Sequence, residues 1–590
     1  MSYALEPLQV VQSVESVVGI NEKREYNIVK GGSENTISEV PSNNWSDSQF
    51  IFQVPPPSAS TIVDRRIWLR VPVRITLNGT ATGAQNLFQS GTGAFRRLPL
   101  SSVINTLTIT VNGQSRSVNL SDYVDALMRY GAYKDILEED MSGAPSYPDQ
   151  TQNYSDLNNF VRNPLGVYGD CLEGAVMPRG GFPFTIISNS PTQTVIEATI
   201  TEPLMISPLI WGLSPHVNSM GLIGCNNMIV TINFRSDLSR MWSQMRNTAF
   251  AGVPQITSVV GSFSAASQGI PTLLFRYVSP SLTQSVPAAK EYGLLDIQSF
   301  TSNVGSLNAG VTRANIQSQN IQLQTIPRRM YIFLRKSNST QTYNDPDAYA
   351  QISEINITWN NRKGNLSGAS LQSLYNISKK NGYVGSFAQW SAQPTQFCTG
   401  ANVQTICGSG SVLCVEFGTD IALAPDECPG VSSGGTYNLQ FTLTATNFSA
   451  VNWTDVSLYL VAVQEGTFSV VNSQTAIAQI GVVSRQDVLN SADAPHVDYN
   501  DLHAMAGSGA FLTDLRSTLS KILRGAHRGA TKVLPHVKRG VEFAEKALPA
   551  FEKGLDMAGL GVVGGASQVG GMVVGGKMLT AAQMRRRLGK

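Results

Sequence analysis

At 590 residues the chain exceeds what one hydrophobic core organises, so two domains plus extra segments are expected. Only 14% of residues are charged while glycine reaches 52, a mix that suits many strands joined by polar turns and excludes a disordered, charge-rich chain. The net charge of +2 hides a split: Asp501–Lys590 carries 14 Lys/Arg against 6 Asp/Glu, whereas the preceding 500 residues carry 29 against 35, so a mildly acidic body leads into a basic tail.

Residues 1–49 read as an extended N-terminal arm with short apolar pieces and no long periodic element. The start lacks a basic n-region and a long apolar run, so no secretory leader is expected. Phe50–Val54 opens a strand that Pro55, Pro56 and Pro57 end. The strongest signal follows in Val63–Asn78. Ile67, Leu69, Val71, Val73, Ile75 and Leu77 alternate with Arg66, Trp68, Arg70, Pro72, Arg74 and Thr76. A period of two puts six aliphatics on one face, which a second sheet must cover, and the arginine face stays wet or pairs with acidic groups. Pro72 cannot donate to a ladder, so an edge position or a bulge is expected there. Thr106–Val111, Asn112-Gly113 and Gln114–Leu120 form a hairpin signal, and Ser121 or Asp122 is placed to cap a helix running to Tyr130.

Gly131–Gly181 is a long polar excursion of the kind that serves as a contact surface. Strands resume at Phe184–Ile187, Thr194–Ile200 and Met228–Phe234, and the first domain closes near 241–247. A second set starts at Gln255 and takes in Thr272–Val278, Tyr292–Phe300, Ile316–Thr325, Arg329–Arg335, Ile352–Trp359, Val412–Phe417, Tyr437–Thr446 and Val456–Val463, with a helix over Leu366–Lys380. IPRRMYIFL (326–334) faintly echoes VDRRIWLRV (63–71), a hint of duplication. Short strands at regular intervals with a helical insertion in each half spell two sandwiches in tandem.

Two stretches carry a family resemblance: YAQISEINITWNNRKGNLSGASLQSLYNISKKNG (349–382) and FGTDIALAPDECPGVSSGGTYNLQFTLTATN (417–447). They resemble a strand, an Asn/Gly turn with its following helix, and a late loop with its outgoing strand, in the double-jelly-roll major capsid proteins of icosahedral DNA viruses. The virophage and polinton-like group is the most similar, and the resemblance spans about residues 50–470. It implies an all-β fold of two tandem jelly rolls with short helical insertions: arm 1–49, first roll 50–250, second roll 251–475, linker 476–508, and a helical, Gly-rich basic tail 509–590. It further implies a homotrimer whose six rolls form a pseudo-hexagonal capsomer in a virion shell assembled inside the host cell. Neighbouring capsomers and penton or minor capsid proteins are the implied partners. The 131–181 excursion then becomes a tower or an inter-subunit clasp. The rivals are a secreted or surface carbohydrate-binding, adhesive sandwich protein and a glycan hydrolase. The first wants a secretion signal, and the second wants a carboxylate pair that the sequence does not single out.

Site chemistry is sparse, and neither an enzyme activity, a cofactor nor a metal centre is expected. Only His216 of five histidines falls in the β region, and it reads as a loop residue. Six cysteines (Cys171, Cys225, Cys398, Cys407, Cys414 and Cys428) match no zinc spacing and read as free thiols. Gly571–Lys577 imitates a phosphate loop, but Met578 stands where Ser or Thr belongs. Asp345-Pro-Asp347 reads as a turn rather than a cation site.

In the tail, Leu512, Leu515, Leu519 and Ile522 share one helical face, and Leu534, Val537, Val541, Ala544 and Leu548 a second. Met557–Gly576 is uncharged but holds eight glycines, which suits a flexible or protein-packed segment better than a bilayer span. Arg585, Arg586, Arg587 and Lys590 form a cationic end suited to the viral genome, an acidic inner surface or an inner membrane. The resemblance also implies a viral cysteine protease of adenovirus type. Met505-Ala-Gly-Ser508 before Gly509 fits its cleavage pattern at the junction of body and tail, as do Met557-Ala-Gly-Leu560 and Ile406-Cys-Gly-Ser-Gly410.

Overall fold

The computed structural model describes residues 34–130 and 184–490, apart from breaks at 57–60, 82–85, 89–92, 97, 205, 207–220, 245–253, 268, 280–288, 346, 384, 394, 400–401, 407, 450–451, 472–474 and 482. It also describes the backbone of Val167–Tyr168, Met177–Pro178, Gly571–Val574 and Lys577–Thr580.

The first sandwich comprises β1 (Glu34–Pro41), β2 (Gln49–Val54), β3 (Ile62–Thr80), β4 (Ile104–Val111), β5 (Gln114–Val118), β6 (Phe184–Asn189), β7 (Gln193–Pro203), β8 (Met228–Phe234), β9 (Gln255–Ser262) and β10 (Thr272–Ser279). One sheet runs β1-β10-β3-β7-β6, with β9 also on β3. The other runs from the two-residue strand Asn44–Trp45 through β2, β8 and β4 to β5. The second sandwich comprises β11 (Ala289–Leu307), β12 (Thr312–Gln317), β13 (Ile321–Thr325), β14 (Arg329–Lys336), β15 (Gln351–Trp359), β16 (Arg362–Asn365), β17 (Leu413–Glu416), β18 (Ser432–Thr446), β19 (Trp453–Val471) and β20 (Thr475–Ile480). Its sheets run β11-β19-β14-β17, with β20 on β19, and β12-β18-β15-β16, with β13 on β18.

If β6, β9, β20 and the Asn44–Trp45 strand are set aside as additions and β12 and β13 are counted as one broken strand, each sandwich has eight frame strands. In both, one sheet takes the order first, eighth, third, sixth and the other second, seventh, fourth, fifth. That repeated order is a jelly roll made twice. The sequence echo falls on the third frame strand of each roll, β3 and β14. The fourth and fifth frame strands join in both rolls through tight turns with two left-handed residues, Asn112 and Gly113 at φ 47° and 86°, and Asn360 and Asn361 at φ 45° and 67°. A helix follows each turn: α1 (Leu120–Leu127) and α2 (Leu371–Lys380).

The alternation read in β3 is observed. Ile67, Leu69, Val71, Val73, Ile75 and Leu77 are all buried, facing a core that includes Phe52, Leu107, Ile109, Val230 and Ile232. Two of the arginines on its other face, Arg70 and Arg74, are paired within the chain. Arg70 grips both carboxylate oxygens of Glu39 at 3.0 and 2.5 Å, and Arg74 donates to Glu197 at 2.7 Å. Pro72 is neither at an edge nor in a bulge, because β3 is a central strand. On one side it faces Thr199 of β7; on the other it falls between Arg70, which meets Thr272 of β10, and Arg74, which meets Ser262 of β9. The missing N–H sits where one neighbour has ended and the next has not begun.

Several expected boundaries move. Glu34–Pro41, inside the expected arm, pairs residue for residue with β10. β9 and β10 pair with β3, so the first roll's sheet runs past the expected 250/251 boundary. Thr475–Ile480, at the start of the expected linker, pairs with Gly466–Val471, and α4 (Arg485–Asn490) follows after α3 (Phe387–Ser391). Ile316–Thr325 is two strands, because Ser318 leaves the ladder while its N–H still donates to Phe441 O at 2.9 Å. The second helix starts at Leu371 instead of Leu366, since Leu366 has φ 63° and Ser370 Oγ accepts from Ser373 N–H as the cap. The residue before α1 is Asn119, not Ser121 or Asp122, and its side chain bonds Thr106 instead of capping.

Candidate assembly site at the junction of the rolls

The role that the resemblance implies is carried by surfaces, and one of these lies where the two rolls meet. Within the body, α1 and the Met128–Tyr130 turn lie against β14 and the 338–347 loop. Five buried arginines cross that boundary. From roll one, Arg96 Nη2 donates to Asp345 O at 2.7 Å and to Tyr343 O at 3.3 Å, and Nη1 reaches Asp347 at 3.3 Å. Arg240 binds Thr342 O at 3.1 Å, Asp345 O, and the Asp347 carboxylate. Arg235 takes Asn338 Oδ1 at 3.0 Å, Asn338 O and Gln341 O at 3.1 Å. Arg129 donates to Ser409 Oγ at 2.6 Å and Asp347 O at 2.9 Å. From roll two, Arg335 returns the contact, donating to Ser121 O and Asp122 O of α1, both at 2.7 Å.

The guanidinium group suits this task because its planar fork offers five donors and carries a delocalised, weakly hydrated charge. Arg240 and Arg335 are each only 2% exposed, so their charges depend on these acceptors for compensation. The counter-charges are arranged accordingly. Burial works to raise Asp345, but the Lys336 ammonium at 2.8 Å, the Thr342 N–H and Arg240 outweigh it and hold the carboxyl below its ordinary range. Asp125, 3.9 Å from Arg335, goes the other way. Burial and the neighbouring Asp347 push it up to about 6 against the pull of Arg335, Arg240 and Arg129. Aromatic contacts close the seam: Tyr130 meets Tyr331 edge-on at 5.0 Å and gives its O–H to Val412 O.

This cluster was not evident from sequence. The turn lies one step earlier, where Asp345 N–H donates to Thr342 O at 3.1 Å, and the carboxylates of Asp345 and Asp347 are taken by a lysine and by arginines. In β14, Met330, Ile332 and Leu334 face the roll's own core, while Tyr331, Phe333 and Arg335, which alternate with them, are buried too. The signal available was a strand apolar on both faces that ends in Arg-Lys.

The other expected sites stand as follows. Ser508, Gly509, Arg585, Arg586, Arg587, Lys590, His216 and the 131–181 excursion's side chains lie outside the described residues. Of the competing cleavage pattern in the second roll, Ser409 is buried beneath Arg129. Gly571–Val574 pairs antiparallel with Lys577–Thr580, whereas a phosphate loop would lead into a helix. Cys225 and Cys414 are free thiols, and burial pushes Cys225 up to about 12, which leaves it unreactive. Among the described residues no His, Cys, Asp or Glu cluster of three gathers as a metal set, and no helix is long and apolar enough to cross a membrane.

Comparison with known proteins agrees with this geometry. Residues 8–273 match the family model of the Sputnik virophage major capsid protein first domain, and residues 297–466 match that of the major capsid protein V20 C-terminal domain. The Sputnik virophage capsid sequence is 32% identical over 606 aligned positions, covering 100% of both chains. The subunit in the cryo-EM structure of Sputnik virophage superposes with a TM-score of 0.70 at 32% identity, over 86% of this chain and 100% of that one. The mavirus major capsid protein shares the fold, with a TM-score of 0.62 at 14% identity over 78% of this chain and 92% of its own. The chain belongs to the Sputnik virophage major capsid protein family, a double-jelly-roll structural protein of the virion shell.

Proposed function

We propose that this chain is a shell subunit that assembles as a homotrimer, its six rolls forming a pseudo-hexagonal capsomer that tiles with its neighbours and with penton or minor capsid proteins. The observation that carries this reading is the repeated strand order together with the buried arginine clamp. Two equivalent rolls held at one relative orientation make a chain that behaves as a rigid third of a six-part ring. A non-enzymatic role fits, since the buried polar groups described above are spent on holding the rolls together.

The tail is the second part of the proposal. Its basic, glycine-rich sequence suits the inner face, with Arg585, Arg586, Arg587 and Lys590 toward the genome or an inner membrane. The bond between Ser508 and Gly509, where the body gives way to the tail, is the proposed cut for a viral cysteine protease. Light scattering on the purified chain tests assembly: three chain masses, or particles, support it, and a monomer at micromolar concentration across salt and pH refutes it. Intact mass from mature particles tests the cut, because a chain ending at Lys590 refutes it.

A further inference from the structure

The two frame-equivalent helices differ in what covers them. Aligned at their first residues, Leu120 and Leu371, they bury the same inward positions: Tyr123 and Leu127 in α1, Leu374 and Ser378 in α2. The other face of α1 is spent on roll two. Ser121 and Asp122 accept from Arg335 and Asn338, Asp125 faces Arg335, and Arg129 reaches Ser409 and Asp347. The matching positions in α2 are Gln372, Ser373, Asn376 and Lys380, and all four are exposed. They have the same spacing and a polar character, and among the described residues no other element hydrogen-bonds the side chains of Gln372, Ser373 or Asn376.

We infer that this α2 face is the intersubunit seat for roll one of a second copy, docked by its β3 side as β14 of roll two docks on α1 within the chain. The occupant follows from the internal duplication. The contact of α1 with roll two is head-to-tail, and a head-to-tail contact closes into a ring only by repeating, so roll two must present the corresponding face to the next roll one. Gln372, Ser373 and Asn376 carry no charge, so burying them against polar partners costs little desolvation compared with a charged face. This inference rests on the proposed self-assembly and assigns it a surface.

The test is the double substitution Ser373→Arg with Asn376→Arg in the full chain, beside Gln486→Arg on the exposed face of α4 as a control. The helix variant is expected to raise the apparent dissociation constant of the assembly about thirtyfold or more by light scattering, with unchanged circular dichroism and monomer unfolding midpoint. The control should assemble like the parent. Hydrogen exchange over 371–381 should slow only in the assembled state. A parent that assembles while the helix variant assembles equally well, or whose 371–381 amides exchange alike in both states, overturns the seat but leaves self-assembly intact. A parent that stays monomeric overturns both.

Discussion

The two rolls share one plan, yet they spend it differently. Both follow a fourth-to-fifth-strand hairpin with a helix, but roll one's helix is buried on almost every side and roll two's only at Leu374 and Ser378. Sandwich topology therefore does not decide burial here; the neighbour does. Where α1 carries Asp125 against Arg335, α2 carries Asn376 in the open. One frame thus provides an interior seam in the first case and an available surface in the second.

The most severe way to break the equivalence is at its shared core. Leu69→Asp and its counterpart Ile332→Asp each place a carboxylate at a fully buried position of the third frame strand, and each should cost about 4 kcal/mol or more. Urea unfolding checks this. A chain that tolerates one substitution and not the other would show that the rolls are not equivalent at the core. Next comes the seam. Arg240→Ala strips Asp347 and two backbone carbonyls of a buried donor and should cost about 3 kcal/mol. Arg329→Ala, which removes a partly exposed partner of Glu416, should cost about 1 kcal/mol or less by the same measurement.

The third contrast uses pH. Asp125 holds its proton up to about 6 in the fold, whereas an unfolded aspartate releases it near about 4. Between those values the folded state binds more protons, so this group's effect on stability is most favourable below about 4 and is lost as pH rises through about 6. Asp125→Asn should remove that slope and raise stability above pH 6 by up to about 2 kcal/mol. Denaturant midpoints of parent and variant at acid and neutral pH decide it, and parallel pH profiles would reject the assignment. The smallest effect concerns the turns. Gly113→Ala, at φ 86° with open space around the new Cβ, should cost about 1 kcal/mol through backbone strain alone. Asn361→Gly, which gives roll two the turn of roll one, should gain a few tenths, measurable as a small rise in thermal midpoint.

Much of the frame was legible because alternation, turn residues and helix periodicity are local. Val63–Asn78 announced a buried face, and Asn112-Gly113 announced its hairpin. Pro72 misled because a lost N–H is tolerated wherever a partner is absent, and a gap between two partners on a central strand serves as well as an edge. The seam was illegible for a different reason. Tyr331 and Phe333 make the second face of β14 apolar as well, but nothing local says that a roll contributed by distant residues is what covers it. Arg96, Arg129, Arg235 and Arg240 likewise look like ordinary surface charges until their acceptors are known. The echo between 63–71 and 326–334, with the helical insertion in each half, was the sequence trace of the duplication that makes the rolls comparable.

The clamp has a bearing on how this protein tolerates change. Most of what the arginines hold in the 338–347 loop is main chain: the carbonyls of Asn338, Gln341, Thr342, Tyr343 and Asp345. A carbonyl is supplied by every residue type. The exposed Ser339 side chain on that loop can therefore drift between lineages without loosening the joint, so long as the backbone path and Asp347 persist. Variation on that loop should accumulate faster than variation in the arginines that grip it, which leaves a structural protein room to vary its loop without altering the geometry on which tiling depends.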